Sequence, residues 1–418
     1  MVQQCIESIV TEESSNHLRQ KQYEAIVTMK DPYQIPTRLI ATTPMGDIPV
    51  REERGARHLP VGPGESDFEA DLRYEPYLKA VRYLLLQKGC KKILEALASR
   101  VGRIVQLEEI EWIEIRTEKH GACYHVARAD LKAAENIVSF AVNVAVSHAT
   151  RSLLERDFRL LRRLGQRYQG QCLPQVYFKG AGLYKERDKR STWLHMFVAE
   201  WFRGYHEFHL YYDQSESSLR VLLWDLDRGS RFLSRKQCVE VYRQMARILT
   251  LYYDWNNFRQ IYPWHHGAGD FVLKTEKGRV NLRLITVRNY EPMVDFRTRK
   301  SSGKLLALIL FFLHLTVQMR LDRLDGVGDL VWAEDYCLKG TIAGFFAGLT
   351  ERKKRSRKDI PSAGEIKDLL RRFSRDEWLQ FLVEMLGNYK FSQEELSLIG
   401  YHGDAHIDCL KWLLASSQ

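Results

Sequence analysis

Residues 137–147 read IVSFAVNVAVS. The even positions Val138, Phe140, Val142, Val144 and Val146 are all apolar, while the odd positions Ser139, Ala141, Asn143, Ala145 and Ser147 are small and partly polar. Alternation at period two predicts a strand with one face against a core and the other free to line a cleft. Just upstream, Glu111-Trp-Ile-Glu-Ile-Arg-Thr alternates, turns at Lys119-His120-Gly121 and returns through Ala122-Cys-Tyr-His-Val-Ala-Arg. Two such runs about a polar turn predict a hairpin, so three strands follow one another.

A helix is expected next, from about His148 to Gly165, with Leu154, Phe158 and Leu161 on one face and Arg151, Arg159 and Arg162 opposite. Two further strands are expected at Leu173–Phe178 and Trp193–Phe202. Beyond them the pattern is mainly helical: Ser234–Tyr253, then segments near 303–322, 334–349, 364–373, 376–387 and 392–400. One hairpin interrupts it, with Phe271–Lys274 and Val280–Val287 flanking the turn Glu276-Lys-Gly. Ahead of all this, residues 1–75 carry six prolines and four glycines between Pro32 and Gly64, a density that breaks regular elements and predicts an arm or linker with one short strand. A helix is expected from about Glu75 to Leu97, with Tyr77, Val81, Leu84 and Leu85 on one face.

The composition is that of a globular protein: 45% hydrophobic and 28% charged, which excludes disorder of the whole chain. The net charge of +10 favours phosphate-bearing or acidic partners, nucleic acid among them. Seven cysteines at long spacings, with no C-x-x-C pair, argue against a disulfide framework or structural zinc and for a reducing, cytoplasmic setting. The most apolar run, Leu305–Leu313, is too short to span a membrane and reads as a buried core helix.

The order of three strands, one helix, two strands, a connector and a helical lobe carrying a hairpin resembles the protein-kinase-like fold, in its aminoglycoside and choline phosphotransferase branch. The resemblance spans about residues 105–350. It implies an α+β, bilobal architecture: an N-terminal extension over 1–100, a small antiparallel β-sheet lobe over 101–203 and a mainly helical lobe over 204–418. It also implies ATP and Mg²⁺ as cofactors, with a nucleotide or small molecule held between the lobes. Glu155 stands where the family's helix Glu pairs with a strand Lys. Glu200, Trp201 and Phe202 stand at the hinge that holds the adenine. His266-Gly267-Ala-Gly269-Asp270 resembles the catalytic loop, with His266 organising it and Asp270 as general base, and Thr286 occupies the place of the metal-binding Asp.

Several positions depart from that pattern. The cleft-facing residues of the third strand include Asn143 and Ser147, neither of them the cation that holds α- and β-phosphates. The metal-binding Asn falls at Thr275. Arg128, Lys132 or Arg288 would have to supply the missing charge. These departures point to a divergent or impaired phosphotransferase, with a pseudokinase-type binding module and a basic nucleic-acid binder as alternatives.

Three further motifs stand outside that frame. Lys119-His120-Gly121 is either a phosphate-covering tip or an ordinary turn. Glu351–Lys358 is a basic run, either a solvated loop or a phosphate-backbone contact. His402, Asp404, His406 and Asp408 alternate within Tyr401–Asp408, a metal-ligating pattern whose bland reading is a C-terminal cap or surface turn.

Overall fold

The computed structural model describes residues 31–43, 46–50, 58–59, 72–120, 124–145, 147–167, 172–185, 191–225, 228–265, 269–294, 301–355 and 361–416. The protein is mixed α+β, with a seven-stranded sheet and, among the described residues, nine α-helices. Its chain divides into two compact units, residues 1–154 with 177–201 and residues 155–176 with 202–418.

In the first unit, strands β1 (Thr37–Thr43) and β2 (Gly46–Pro49) precede helices α1 (Tyr74–Leu86) and α2 (Lys91–Val101). Strands β3 (Ile110–His120), β4 (His125–Ala133) and β5 (Asn136–Ala145) follow, then β6 (Val176–Lys185) and β7 (Ser191–Glu200). Helix α3 (His148–Arg167), between β5 and β6 in the chain, begins in the first unit and belongs to the second from Glu155 on. The sheet order is β2-β1-β3-β4-β5-β7-β6. The alternation in β5 works as its sequence demands: Phe140, Val142 and Val144 are fully buried in the core beneath α1.

Two expectations for this unit need correction. The Pro/Gly-rich arm supplies two strands rather than one, and β1 lies parallel to β3 in the sheet, with Leu39 opposite Ile115. The helix foreseen over 75–97 is two helices. Lys88, Gly89 and Cys90 all adopt positive φ, a left-handed run that ends α1 and that only glycine enters without steric cost.

The second unit opens with a small sheet of order β10-β9-β8, built from β8 (Phe208–Asp213), β9 (Ser218–Leu223) and β10 (Arg231–Phe232). Helix α4 (Arg235–Tyr252) follows, started by a capping box between Ser234 and Gln237. Strand β11 (Arg259–Ile261), the hairpin β12 (Phe271–Glu276) and β13 (Arg279–Leu284), and β14 (Tyr290–Pro292) come next, β14 pairing back onto β11. Helix α5 (Ser301–Gln318), a two-stranded ribbon of β15 (Leu321–Arg323) and β16 (Leu330–Trp332), and helices α6 (Asp335–Arg355), α7 (Ala363–Arg372), α8 (Arg375–Asn388) and α9 (Gln393–Ser416) complete it. Helix α5 is buried along Ala307–Leu313, as its apolar run requires. Among the described residues no helix is long and apolar enough to cross a membrane.

Helices α4 and α6 approach closely because α6 presents Gly340, Gly344 and Gly348, one per turn, to α4. A Cβ on Gly344 would stand 2.1 Å from the Arg243 carbonyl oxygen, and one on Gly340 2.3 Å from that of Val239. Backbone cannot yield as a flexible side chain can, so Gly344→Ala is expected to cost about 3 kcal/mol, the upper end for overpacking. Urea denaturation checks this; an unchanged midpoint would mean that the two helices separate without cost.

Candidate functional site

The loop from β11 to β14 carries the residues that the sequence singled out most strongly. Asp270 immediately precedes β12 and is 2% exposed. Its Oδ2 accepts the backbone N–H of His265 at 2.8 Å, and its Oδ1 accepts an N–H of Arg288 at 2.7 Å. Its own carbonyl accepts the N–H of Ile285, which draws the end of β13 against the loop. Asp270, expected as a general base, thus has both carboxylate oxygens engaged and is buried. His266, expected to organise the loop, lies outside the described residues, as do Gly267 and Ala268.

Thr286 is tied to a second buried carboxylate that was not anticipated. Asp157, on α3, is 2% exposed. Its Oδ2 accepts the Thr286 hydroxyl at 2.9 Å and its Oδ1 accepts the Val287 N–H at 2.8 Å. The segment 286–288 is thus pinned from two sides, by Asp157 at Thr286 and Val287 and by Asp270 at Arg288. Asp157 was discernible in the sequence, since it falls on the same helix stripe as Leu154, Phe158 and Leu161, all buried. An acid on an apolar stripe must be paired inside the protein. Arg288 was considered only as a substitute for a missing lysine.

The remaining expected residues are spent on structure where their bonds are known. Ser147 stands ahead of α3 and caps it reciprocally: Thr150 N–H donates to Ser147 Oγ and Ser147 N–H to Thr150 Oγ1, both at 3.1 Å. Asn143 is half-buried on β5, opposite Val126 and Phe197. Glu155 is half-buried on α3, its carbonyl accepting from Arg159. Glu200 is bridged by Arg100 at 2.5 Å, and Arg128 lies over the Trp201 ring at 5.5 Å. The chain passes from one compact unit to the other between Trp201 and Phe202. Phe202 packs on Tyr205, with Arg283 beside both rings. Thr275, the expected metal-Asn position, sits within β12 and accepts from Arg231.

Tyr401–Asp408 is neither cap nor surface turn but lies within α9. Helical spacing sends its side chains to two faces. His406 is buried, 3.1 Å from Thr316, and His402 stacks on Trp332, while Asp404 and Asp408 point outward and share Arg375 at 2.8 Å each. Among the described residues no group of three or more His, Cys, Asp or Glu side chains is arranged to hold a metal. The run 351–358 begins as the last turn of α6, with Arg352 buried and Glu351 bridging Arg247 and Arg355. Its end, 356–358, lies outside the described residues, as does the tip at Gly121.

The electrostatics of the loop disfavour Mg²⁺. A magnesium ion needs oxygen ligands with lone pairs to spare, yet Thr286 offers a neutral hydroxyl already donated to Asp157, and Asp270 faces a guanidinium. The described residues therefore do not fit the metal that the sequence resemblance implies. No family model matches the chain, and no curated protein matches it in sequence.

Proposed function

We propose that the protein is a binding or scaffold module of the pseudokinase type: a kinase-like phosphotransferase fold that has given up metal-dependent transfer. The element order supports the fold part of this reading. β3-β4-β5, α3 and β6-β7 follow one another; after the inserted β8–β10 sheet come α4 and, past β11, the β12–β13 hairpin. One observation carries the functional part: Arg288 is bonded to Asp270, so the catalytic-loop carboxylate meets an internal cation rather than a metal or a substrate hydroxyl. In phosphoryl transfer the metal bridges and neutralises the phosphates, and removing one such electrostatic element costs on the order of 10²–10³ in rate.

The test is turnover of γ-labelled ATP with Mg²⁺, with calorimetry of Mg-ATP alongside. The expected result is no phosphate release or transfer above background, and a nucleotide affinity, if any is measured, that EDTA leaves unchanged. Turnover that is present in the wild type and vanishes in Asp270→Ala would overturn the reading.

A further inference from the structure

A groove of about 1780 Å³ on the second unit runs between the start of α4, the β12–β13 turn, α6, α7 and the end of α9. Six cations line it: Arg235, Lys236, Lys277, Arg279, Lys339 and Lys367. None of the six forms an ion pair with a described residue. The two acids of the lining are already engaged, Glu240 by Arg243 and Gln244, and Asp335 by Arg320. The floor is apolar and mostly aliphatic: Val239, Ile342, Ala343, Phe346 and Leu413. At its edge Trp412 is 66% exposed, a large apolar surface left to water.

We infer that this groove docks an acidic amphipathic helix of a partner protein. The rim carries unneutralised positive charge, and the floor asks for an apolar stripe. A helix with leucine-like residues at i, i+3, i+4 and i+7 and acids on both flanks satisfies the two together. The size agrees, since a helix of about 14 residues is roughly 20 Å long and 10–12 Å across. A single-stranded nucleic acid fits the charge but not the floor. Its bases need successive aromatic platforms, and Trp412 is the one exposed aromatic ring of the lining. The groove borders the β12–β13 turn at Lys277–Val280 but includes none of Asp157, Asp270, Thr286 or Arg288, so the inference does not rest on the kinase-like reading.

The test uses the full chain and three fluorescein-labelled probes: a 14-residue Glu/Leu peptide patterned as an amphipathic helix, the same composition scrambled, and a 15-nucleotide oligothymidylate. Anisotropy titration is expected to show the patterned peptide binding at least about tenfold tighter than either control, more weakly as salt rises. The charge reversal Arg279→Glu/Lys339→Glu, at two exposed positions, should weaken it by about tenfold or more, with circular dichroism confirming that the variant is folded. Trp412→Ala, also on the surface, should weaken it without removing charge. Equal binding of patterned and scrambled peptides, tighter binding of the oligonucleotide, or affinity indifferent to the reversal would each overturn the inference.

Discussion

Arg288→Ala is expected to cost about 3 kcal/mol, the lower end of the range for stripping one partner from a buried ion pair. The lower end applies because the Arg288 side chain is 31% exposed, whereas the Asp270 side chain is only 3% exposed. Without the guanidinium, the Asp270 carboxylate keeps one bond, from the His265 amide, and its buried Oδ1 loses its partner. The double variant Asp270→Asn/Arg288→Ala should recover much of the loss, since no charge then remains to be buried. The measurement is urea denaturation of the four proteins of the cycle. It also separates two accounts of the pair. If Asp270 is held for a metal, deleting Arg288 frees the carboxylate, and Mg²⁺ should raise the melting temperature of Arg288→Ala. The pseudokinase reading predicts no such rise, and a clear Mg²⁺-dependent stabilisation of that variant alone would sink it.

The helices of both units and the strands β3–β7 were largely legible because their patterns are local. Of the second unit's strands only β12 and β13 were read: β8–β11 and β14–β16 are pieces of two to six residues, too short to show an alternation, in a stretch expected to be mainly helical. Alternation located β3, β4 and β5, and the 3.6-residue stripe located α3 and α4. Long-range pairing was not legible. Nothing in Thr37–Thr43 declares that it will lie parallel to β3, because a strand's partner is chosen by tertiary packing. The same holds for β14 folding back onto β11. In the candidate site, Asp270 and Thr286 were found by motif, but their states were not. Whether Asp270 is a base or half of an ion pair depends on Arg288, 18 residues away in sequence and brought 2.7 Å from it by the turn that follows β13. The histidines and aspartates of 401–408 misled for a simpler reason. Read as letters they alternate like ligands, but on a helix alternate residues diverge by about 200°, so the two histidines and the two aspartates part company.

Two buried histidines, His406 and His314, make the second unit acid-labile. Thr316 donates its hydroxyl to the Leu313 carbonyl at 2.7 Å, so its oxygen accepts from His406 Nε2, which must carry the proton. The other ring nitrogen, Nδ1, is buried without a partner, and Arg320 lies near enough to repel a second proton. Burial, with that repulsion, lowers the His406 pKa to about 3. His314, stacked on Tyr389 at 3.8 Å and edge-on to Tyr262, is likewise lowered by burial to about 3. Folded values lie below the unfolded value of 6.5, so as pH falls the unfolded chain takes up these protons first. The stability is complete above the unfolded pKa and drains away towards the folded one. At pH 5 each neutral histidine forfeits about 2 kcal/mol, so the pair costs about 4 kcal/mol between pH 8 and pH 5. That figure hardly depends on the folded value, provided it stays well below 5. Carboxylates held low by partners, such as Asp254 beside Arg167, lose their contribution only at still lower pH. His402 adds to the effect in the same direction, whereas Glu118, raised by burial, opposes it. His314→Phe/His406→Gln removes the two protons while Gln keeps a donor for Thr316. Denaturation at the two pH values should show most of the pH dependence gone in that variant, and an unchanged slope would mean that the buried rings are not its source.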